Sequence, residues 1–560
     1  MDQDYPKILL LSDFNLGGFA GYLKNAMDIS PVSAPYGQVI HTLLDENSEC
    51  WNESYSTALV WTRPQAVIDS YRKALEFHPF ELDAVLAEVD SYAEALSRLT
   101  EKVSVLMIPS WTQSAQSPGY GMLDMRKGTG LTDLLYRMNL RLAENLDKHT
   151  GVYFLNAERW IQSAGKQAYN PKLWYMGKIA FGNEVFKSAV EDIKSTLDGV
   201  SGAARKIILV DLDDTLWGGI VGDDGWKNLR LGGHDPIGEA FVDFQKALKS
   251  MTRRGVILAL VSKNEESTCW EAIENHPEMI LKREDFSAWR INWTDKAQNI
   301  VEILEELNLG LQSAVFIDDN PIERERVKTA LPEVLVPDWP RDKMLYASAL
   351  SGLTCFNTPQ ISEEDIKRSR MYKEEGQRKH LKKSLGSLDE WLKTLEIKVS
   401  VETLNVDNLQ RSAQLLNKTN QMNLRTRRLT DNELLDWSCG EGRKLWAFRV
   451  EDKFGDSGLT GLISIEANGK IGKVADFLLS CRVMGRCIEE TMFFIAIEYA
   501  RSIELEKLEM NFSPTEKNNP CLLFLKRSGF EQVKGSEEYC VDVSKPYPLP
   551  DCVKLIMKES

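Results

Sequence analysis

The stretch Ile207-Ile208-Leu209-Val210-Asp211-Leu212-Asp213-Asp214-Thr215 decides how this chain is read. Four consecutive apolar residues, three of them β-branched, indicate a buried strand. The run stops at Asp211. Asp211 and Asp213 lie two residues apart and so leave the strand end on one side. In an open parallel α/β sheet the carboxyl ends of the strands carry the chemistry. Two clustered carboxylates repel unless a proton or a cation lies between them. Mg²⁺ meets that need, because it prefers a few carboxylates together with substrate phosphate oxygens.

Further strands follow in order. Val256-Ile257-Leu258-Ala259-Leu260-Val261 ends at Ser262-Lys263-Asn264, and Ala314-Val315-Phe316-Ile317 ends at Asp318-Asp319-Asn320-Pro321. Between them, Lys296 opens a helical segment after Asn292-Trp293-Thr294-Asp295. The polar elements are therefore a carboxylate pair, a hydroxyl, a fixed positive charge and a second carboxylate pair. This set, in this order, resembles the haloacid-dehalogenase (HAD) superfamily of phosphoryl-transfer enzymes. The resemblance implies that Asp211 is a nucleophile forming an aspartyl-phosphate. It implies that Asp213 protonates the leaving oxygen and then activates water, while Ser262 and Lys296 hold the phosphoryl oxygens. It also implies a Mg²⁺ site made by Asp211, Asp318 and the backbone carbonyl of Asp213. Asp319 is left between a supporting role there and a cap for the helix near Pro321.

The run from Asp211 to Gly225, DLDDTLWGGIVGDDG, adds a glycine-rich part. Trp217-Gly218-Gly219 and Gly222-Asp223-Asp224-Gly225 predict a small hairpin flap over the site. No long helical insertion precedes the Ser262 strand, so the expected cap is minimal and the site open. With GVILALVSKN, NWTDKAQNI and VFIDDNPIERERV, this stretch looks like FkbH-type proteins. Those proteins build glyceryl thioesters on acyl carrier proteins from 1,3-bisphosphoglycerate, for polyketide and related biosynthesis. The family pattern has Asn where this chain has Asp214, whose side chain is expected to point away from the carboxylate pair.

At 560 residues, 43% hydrophobic and 27% charged, the chain is globular and too long for one domain. A net charge of −15 excludes an ordinary nucleic-acid binder. It also requires that any docking site for an acidic carrier protein be a local basic patch. No apolar run is long enough to span a bilayer, and no charged-then-apolar leader is seen. The nine cysteines are scattered without Cys-x-x-Cys spacing, which fits neither a disulfide framework nor a zinc site and points to a reducing cytoplasm.

The expected architecture is α/β in three domains. Residues 1–200 carry strand signals at Ile8-Leu9-Leu10-Leu11, 103–108 and 151–156, with a helix from Asp83 to Leu99. Ser12-Asp13 after the first strand fits a flavodoxin-like sandwich or an SGNH hydrolase, the fold that precedes the HAD module in long FkbH-type chains. That family needs a histidine near the domain's end. The segment 156–200 has none, and His149 precedes its strand, so a catalytically degenerate domain is expected. Residues 204–355 form the HAD-like Rossmannoid, and 356–392, with Ile366, Met371 and Tyr372, a charged linker or helix.

Residues 393–545 are expected to be GNAT-like α+β. The strand around Val474–Ser480 is followed by Arg482-Val483-Met484-Gly485-Arg486-Cys487 and a long apolar helix from Ile488 to about Arg501. Strand, Arg-x-x-Gly-x-small residue, then helix resembles the phosphate-cradling element of GNAT acyltransferases. Backbone N–H groups of such a loop bind the pyrophosphate of coenzyme A (CoA), which assigns Arg482, Gly485, Arg486 and Cys487 to a CoA or phosphopantetheine site. The usual last residue is Gly or Ala, so Cys487 puts the CoA affinity in question. Cys481, beside the loop, is a candidate for an enzyme-bound thioester, with core packing as the alternative. Arg425, Arg427 and Arg428 form either a carrier-docking patch or a solvated face.

The expected function is glyceryl transfer from 1,3-bisphosphoglycerate, a small phosphorylated three-carbon substrate, to an acyl carrier protein, with dephosphorylation. The alternatives are a HAD phosphatase fused to a CoA-dependent N-acetyltransferase, and a largely non-catalytic carrier-docking module.

Overall fold

The computed structural model describes residues 6–558 apart from 36, 46–47, 114–116, 234, 359–386, 420, 426, 516–517 and 534–535. Most of the charged segment expected over 356–392, with Ile366, Met371 and Tyr372, lies outside the described residues. The chain forms two compact units, Met1–Leu197 and Asp198–Ser560.

The first unit is built on strands β1 (Lys7–Ser12), β2 (Ser30–Ser33), β3 (Thr57–Trp61), β4 (Val105–Pro109) and β5 (Val152–Leu155). They are all parallel, in the order β2-β1-β3-β4-β5. This is the flavodoxin-like doubly wound order, whose crevice opens between β1 and β3. Both faces of such a sheet are covered, so its central strands are apolar throughout; every residue of β3 and β4 is buried. Helices Leu82–Ser97 and Leu131–Leu146 close one face with Val85, Val89, Leu134, Met138 and Leu142.

The second unit holds two sheets. Strands β6 (Ile207–Val210), β7 (Ile257–Ser262), β8 (Ala288–Ile291) and β9 (Ala314–Ile317) are parallel in the order β8-β7-β6-β9. The chain winds from β6 outward to β8, then returns to the other side of β6. The reversal makes a crevice beyond the carboxyl ends of β6 and β9. Asp211 and Asp318 are the residues that follow those two strands.

The other sheet contains β10 (Ile397–Thr403), β11 (Met422–Asn423), β12 (Arg443–Asp452), β13 (Gly455–Asn468), β14 (Ile471–Leu479), β15 (Lys507–Asn511), β16 (Glu531–Gln532), β17 (Glu538–Asp542) and β18 (Val553–Met557). Its order is β16-β17-β15-β14-β13-β12-β10-β18, with β11 laid against β14. The strand–loop–helix order expected of a GNAT-like domain is present: β14, the loop 480–487, the helix Ile488–Ser502 and β15. The sheet runs past residue 545, the limit drawn from the sequence. β18 pairs in parallel with β10 from Ile397↔Val553 to Val401↔Met557 and covers an edge that would otherwise be bare. The chain is thus a multidomain α/β protein. Among the described residues no helix is long and apolar enough to cross a membrane.

Candidate active site

Three carboxylates meet in the crevice beyond β6 and β9. Oxygens of Asp211, Asp318 and Asp319 all lie within 4.8 Å of one another. Asp211 and Asp318 are buried, and so is Lys296, the first residue of the helix Lys296–Glu306. Its Nζ donates to Asp318 Oδ2 at 2.6 Å and lies 3.1 Å from Asp211 Oδ1. Burial opposes the Lys296 charge, but Asp211 and Asp318 outweigh it and raise its pKa above the ordinary lysine value. Burial and the Asp211 charge push Asp318 upward, against the pull of Lys296. Ser262, also buried, ends β7 beside β6 and so stands at the same edge.

Asp319 belongs to this cluster, and the helix cap that the sequence left open to it falls to the next residue. Asn320 Oδ1 accepts from Ile322 N–H at the start of the helix Pro321–Ala330. Asp319 Oδ2 takes a bond from Lys343 Nζ at 3.2 Å, and its N–H donates to Thr215 Oγ1. Burial raises the Asp319 pKa, with Lys343 pulling it back. Lys343 had no sequence signal, since it lies outside the strand ends that organise the site.

The Asp213 carboxylate turns toward the flap. Oδ1 accepts from Trp217 Nε1 at 2.9 Å and from Val221 N–H at 3.0 Å, and Oδ2 from Asn264 Nδ2 at 2.7 Å. The flap is not the hairpin expected. Gly218 and Arg230 exchange both backbone bonds at its base, and its tip is a short helix, Val221–Asp224. Asp214 has φ +54°, in the left-handed region that Asn and Asp tolerate. Asp at this position therefore suits the backbone as Asn would. Its carbonyl accepts from Lys343 Nζ, and its side chain faces the flap at Gly219 N–H. Ile220, Trp293, Ile322, Met344 and Leu345 are exposed on the segments around the pit, and among the described residues no large cap covers it.

The donor set fits a hard divalent cation. Asp211, Asp318 and Asp319 outnumber the ammonium groups of Lys296 and Lys343 that touch them. The excess negative charge and all-oxygen donors are what Mg²⁺ selects.

Two other sequence-predicted places look different. In the first unit, Ser12 Oγ accepts from Phe14 N–H at 3.1 Å, a turn bond within its own loop. Asp13 is bound by Arg63 through its N–H and Nε, both at 2.7 Å. Burial nonetheless leaves the Asp13 pKa raised. His149 precedes β5 and so sits at the sheet edge opposite Ser12.

In the second unit, Cys481 is half-buried in the turn Cys481–Val483, and Arg482 Nε donates to Ser480 Oγ. Gly485 has φ +72° and Cys487 φ +61°, a strained value for a side chain and the reason Gly is usual there. The Cys487 thiol meets that of Cys552, and burial together with this contact raises its pKa. Arg486 is not a loop-surface cation: 2% exposed, it forms an ion pair with Asp452 at 3.1 Å. Of the arginines left open between a carrier-docking patch and a solvated face, Arg425 donates to Ala475 C=O and Arg427 binds Asp476, both half-buried, while Arg428 is exposed.

No family model matches this chain, and no curated protein does. Among solved structures it is similar to the N-terminal part of the protein BF1531 from Bacteroides fragilis, containing a phosphatase domain complexed with Mg. Identity is 26%, over 64% of this chain and 96% of that one, with a TM-score of 0.58. Weaker likenesses are a GNAT-family acetyltransferase from Staphylococcus aureus Mu50 (9% identity, 26% of this chain, 99% of that chain, TM-score 0.22) and the Vibrio cholerae spermidine N-acetyltransferase solved with CoA and spermine (17%, 26%, 96%, 0.21).

Proposed function

We propose that this protein is a Mg²⁺-dependent phosphoryl-transfer enzyme of HAD type. We further propose that it makes a glyceryl thioester on an acyl carrier protein from 1,3-bisphosphoglycerate, as FkbH-type proteins do. The observation that carries the first part is the convergence of Asp211, Asp318 and Asp319 at the reversal point of a parallel sheet, with Lys296 bound to the first two. The Mg-bound phosphatase domain from Bacteroides fragilis supports it.

In this reading an Asp211 oxygen attacks phosphorus, the ester P–O bond breaks, and Asp213 delivers a proton to the leaving oxygen. Asp213 then takes a proton from water, which attacks the aspartyl-phosphate and frees inorganic phosphate. Asn264, Trp217 and the Val221 N–H hold the Asp213 carboxylate in place for both steps. Lys296 and Ser262 hold the phosphoryl oxygens. Asp211, Asp318 and the Asp213 carbonyl, with Asp319 beside them, would hold Mg²⁺, which would supply charge neutralisation of the phosphate.

The acyl phosphate of 1,3-bisphosphoglycerate is already activated. A thiolate can attack its carbonyl carbon and expel phosphate without ATP, whereas the second phosphate is an ordinary ester that needs the Asp211 machinery. The exposed apolar rim, with no large cap among the described residues, suits a substrate borne on a protein. Cys481 is the candidate thiol for an enzyme-bound acyl intermediate. A second reading, a HAD phosphatase fused to a CoA-dependent N-acetyltransferase, draws on the strand–loop–helix order at residues 471–502.

The test is phosphate release and carrier loading by full-length enzyme, the latter followed by intact mass. Asp211→Asn keeps the shape, removes the nucleophile and is expected to lower Mg²⁺-dependent phosphate release by at least about 1,000-fold. Unchanged release would sink the HAD assignment. Loading with acetyl-CoA but not with bisphosphoglycerate would favour the second reading.

A further inference from the structure

We infer that the GNAT-like domain of this protein does not bind coenzyme A, because the chain itself occupies both the strand edge and the loop amide that such a ligand would use. The inference is independent of the phosphatase reading.

The strand edge comes first. β14 pairs with β13 along one side. On its other side β15 pairs only with Ile471–Val474, and the ladder with β13 shifts register between Ser464 and Ile465 as β14 bulges. From Ala475 to Leu479 that second edge has left β15. Its backbone groups must still find partners. An extended ligand carrying amides can add to such an edge as a strand does. In this chain the place is taken from inside. Met422 and Asn423 pair antiparallel with Leu479 and Leu478. The Leu424 N–H donates to Phe477 C=O at 3.2 Å. Arg425 Nε donates to Ala475 C=O at 3.2 Å, and Arg427 binds Asp476 at 2.7 Å. The described residues of this run, 422–425 and 427, thus follow β14 from its end back to the bulge.

It is held from the opposite side as well. The Ser513 N–H, just beyond β15, donates to Leu424 C=O at 2.9 Å, and Asn518 Nδ2 donates to Asn423 C=O at 3.1 Å. The segment is therefore a wedge between the two diverging strands.

The loop repeats the pattern with different residues. Gly485 has the positive φ that brings backbone close to a ligand, but its N–H donates to Glu489 Oε1 at 2.8 Å. Glu489 is 1% exposed and lies in the first turn of the helix Ile488–Ser502, where a pyrophosphate would meet the positive helix end. A carboxyl group of the chain already fills that place. Arg486, the loop cation beside it, is committed to Asp452 and to the Arg482 carbonyl.

The experiment uses the full chain, with CoA and acetyl-CoA as probes up to about 1 mM, which reaches binding as weak as about −4 kcal/mol. Calorimetric titration is combined with hydrogen–deuterium exchange read on peptides spanning 422–427 and 483–487. The expected result is no saturable binding, with both segments exchanging at least about 100-fold more slowly than open amides in the free chain. Saturable binding that changes exchange in either segment overturns the inference. So does exchange of the Leu424 and Gly485 amides at open-chain rates before any ligand is added. Saturable binding that leaves both segments unchanged places CoA elsewhere, and the closure of β14 stands.

Discussion

At the scale of single residues, Lys296 sets the terms of the carboxylate pit. It is buried and faces Asp211 and Asp318 together. Removing one member of a buried charge cluster leaves the others uncompensated, which costs about 3–5 kcal/mol. Lys296→Met is expected to lose that much stability without Mg²⁺ and to release phosphate at least about 100-fold more slowly. Added Mg²⁺ should restore part of the Tm by supplying the missing positive charge, as melts with and without chelator would record.

Glu489 gives a prediction of opposite character. Burial pushes it from a glutamate's ordinary 4.5 up to about 7, against the bond from Gly485 N–H. The folded chain therefore prefers the neutral acid. The stability this contributes is fully present below pH 4.5 and is lost as pH rises through about 7. Glu489→Gln keeps an acceptor for Gly485 and never ionises. Its Tm relative to the parent should rise by roughly 5 °C between pH 5 and pH 8. A gap that does not vary with pH would mean Glu489 stays ionised throughout.

At the scale of elements, the end of β1 looks like a catalytic strand end but is tied up by its neighbours. The Ser12 hydroxyl caps its own turn, and Asp13 is spent on Arg63 at the end of β3. Arg63 in turn lies over the Trp174 ring, 3.8 Å from its centroid. Ser12→Ala should leave phosphate release and carrier loading within about twofold, losing only about 1 kcal/mol of stability with the turn bond. A large loss of rate in a folded variant would return catalytic work to the first unit.

What the sequence made legible follows from the same physics. β6, β7 and β9 announce themselves because an apolar run stops at a polar residue, and those stops are the site. β3, in the first unit, carries the same apolar signal as these strands, beyond the strand signals at 8–11, 103–108 and 151–156. β8 hides because Trp289 and Arg290 are half-exposed, with Arg290 held by Glu302 and Glu306. β2 hides because it is short, half-exposed and contains Pro31. The wedge 422–427 was unreadable for a different reason. Its arginines read as a docking patch or a solvated face, and its partner strand lies some fifty residues on. Glu489 in a helix reads as solvent-facing, and no local pattern says that it folds back onto a glycine amide.

At the scale of the whole molecule, the second unit places Cys481 away from the pit. Asn308 Nδ2 donates to the Cys481 carbonyl at 3.2 Å. Asn308 follows the helix that begins at Lys296. A helix of that length spans about 16 Å, so the thiol and the carboxylates lie at opposite ends of it. Cys481→Ala should leave the Asp211-dependent release of the ester phosphate unchanged. If Cys481 carries the acyl group, incubation without carrier yields a glycerate-sized, hydroxylamine-labile mass adduct that the variant lacks. A variant that loads carrier at the parent rate would leave direct attack by the carrier's own thiol as the route.

The parallel pairing of β6 with both β7 and β9 also governs how the protein is made. Ile207 pairs with Ile257 but waits for Ala314 on its other side. While a ribosome is still adding that intervening stretch, the nascent chain carries a central strand with one edge bare and Asp211 without its partners. Long-range parallel pairing of this kind is slow and open to misassociation. The same connection that delivers Asp318 to Asp211 therefore makes this module a candidate client for chaperones during synthesis, and its carboxylate cluster can form only after the last of its strands has emerged.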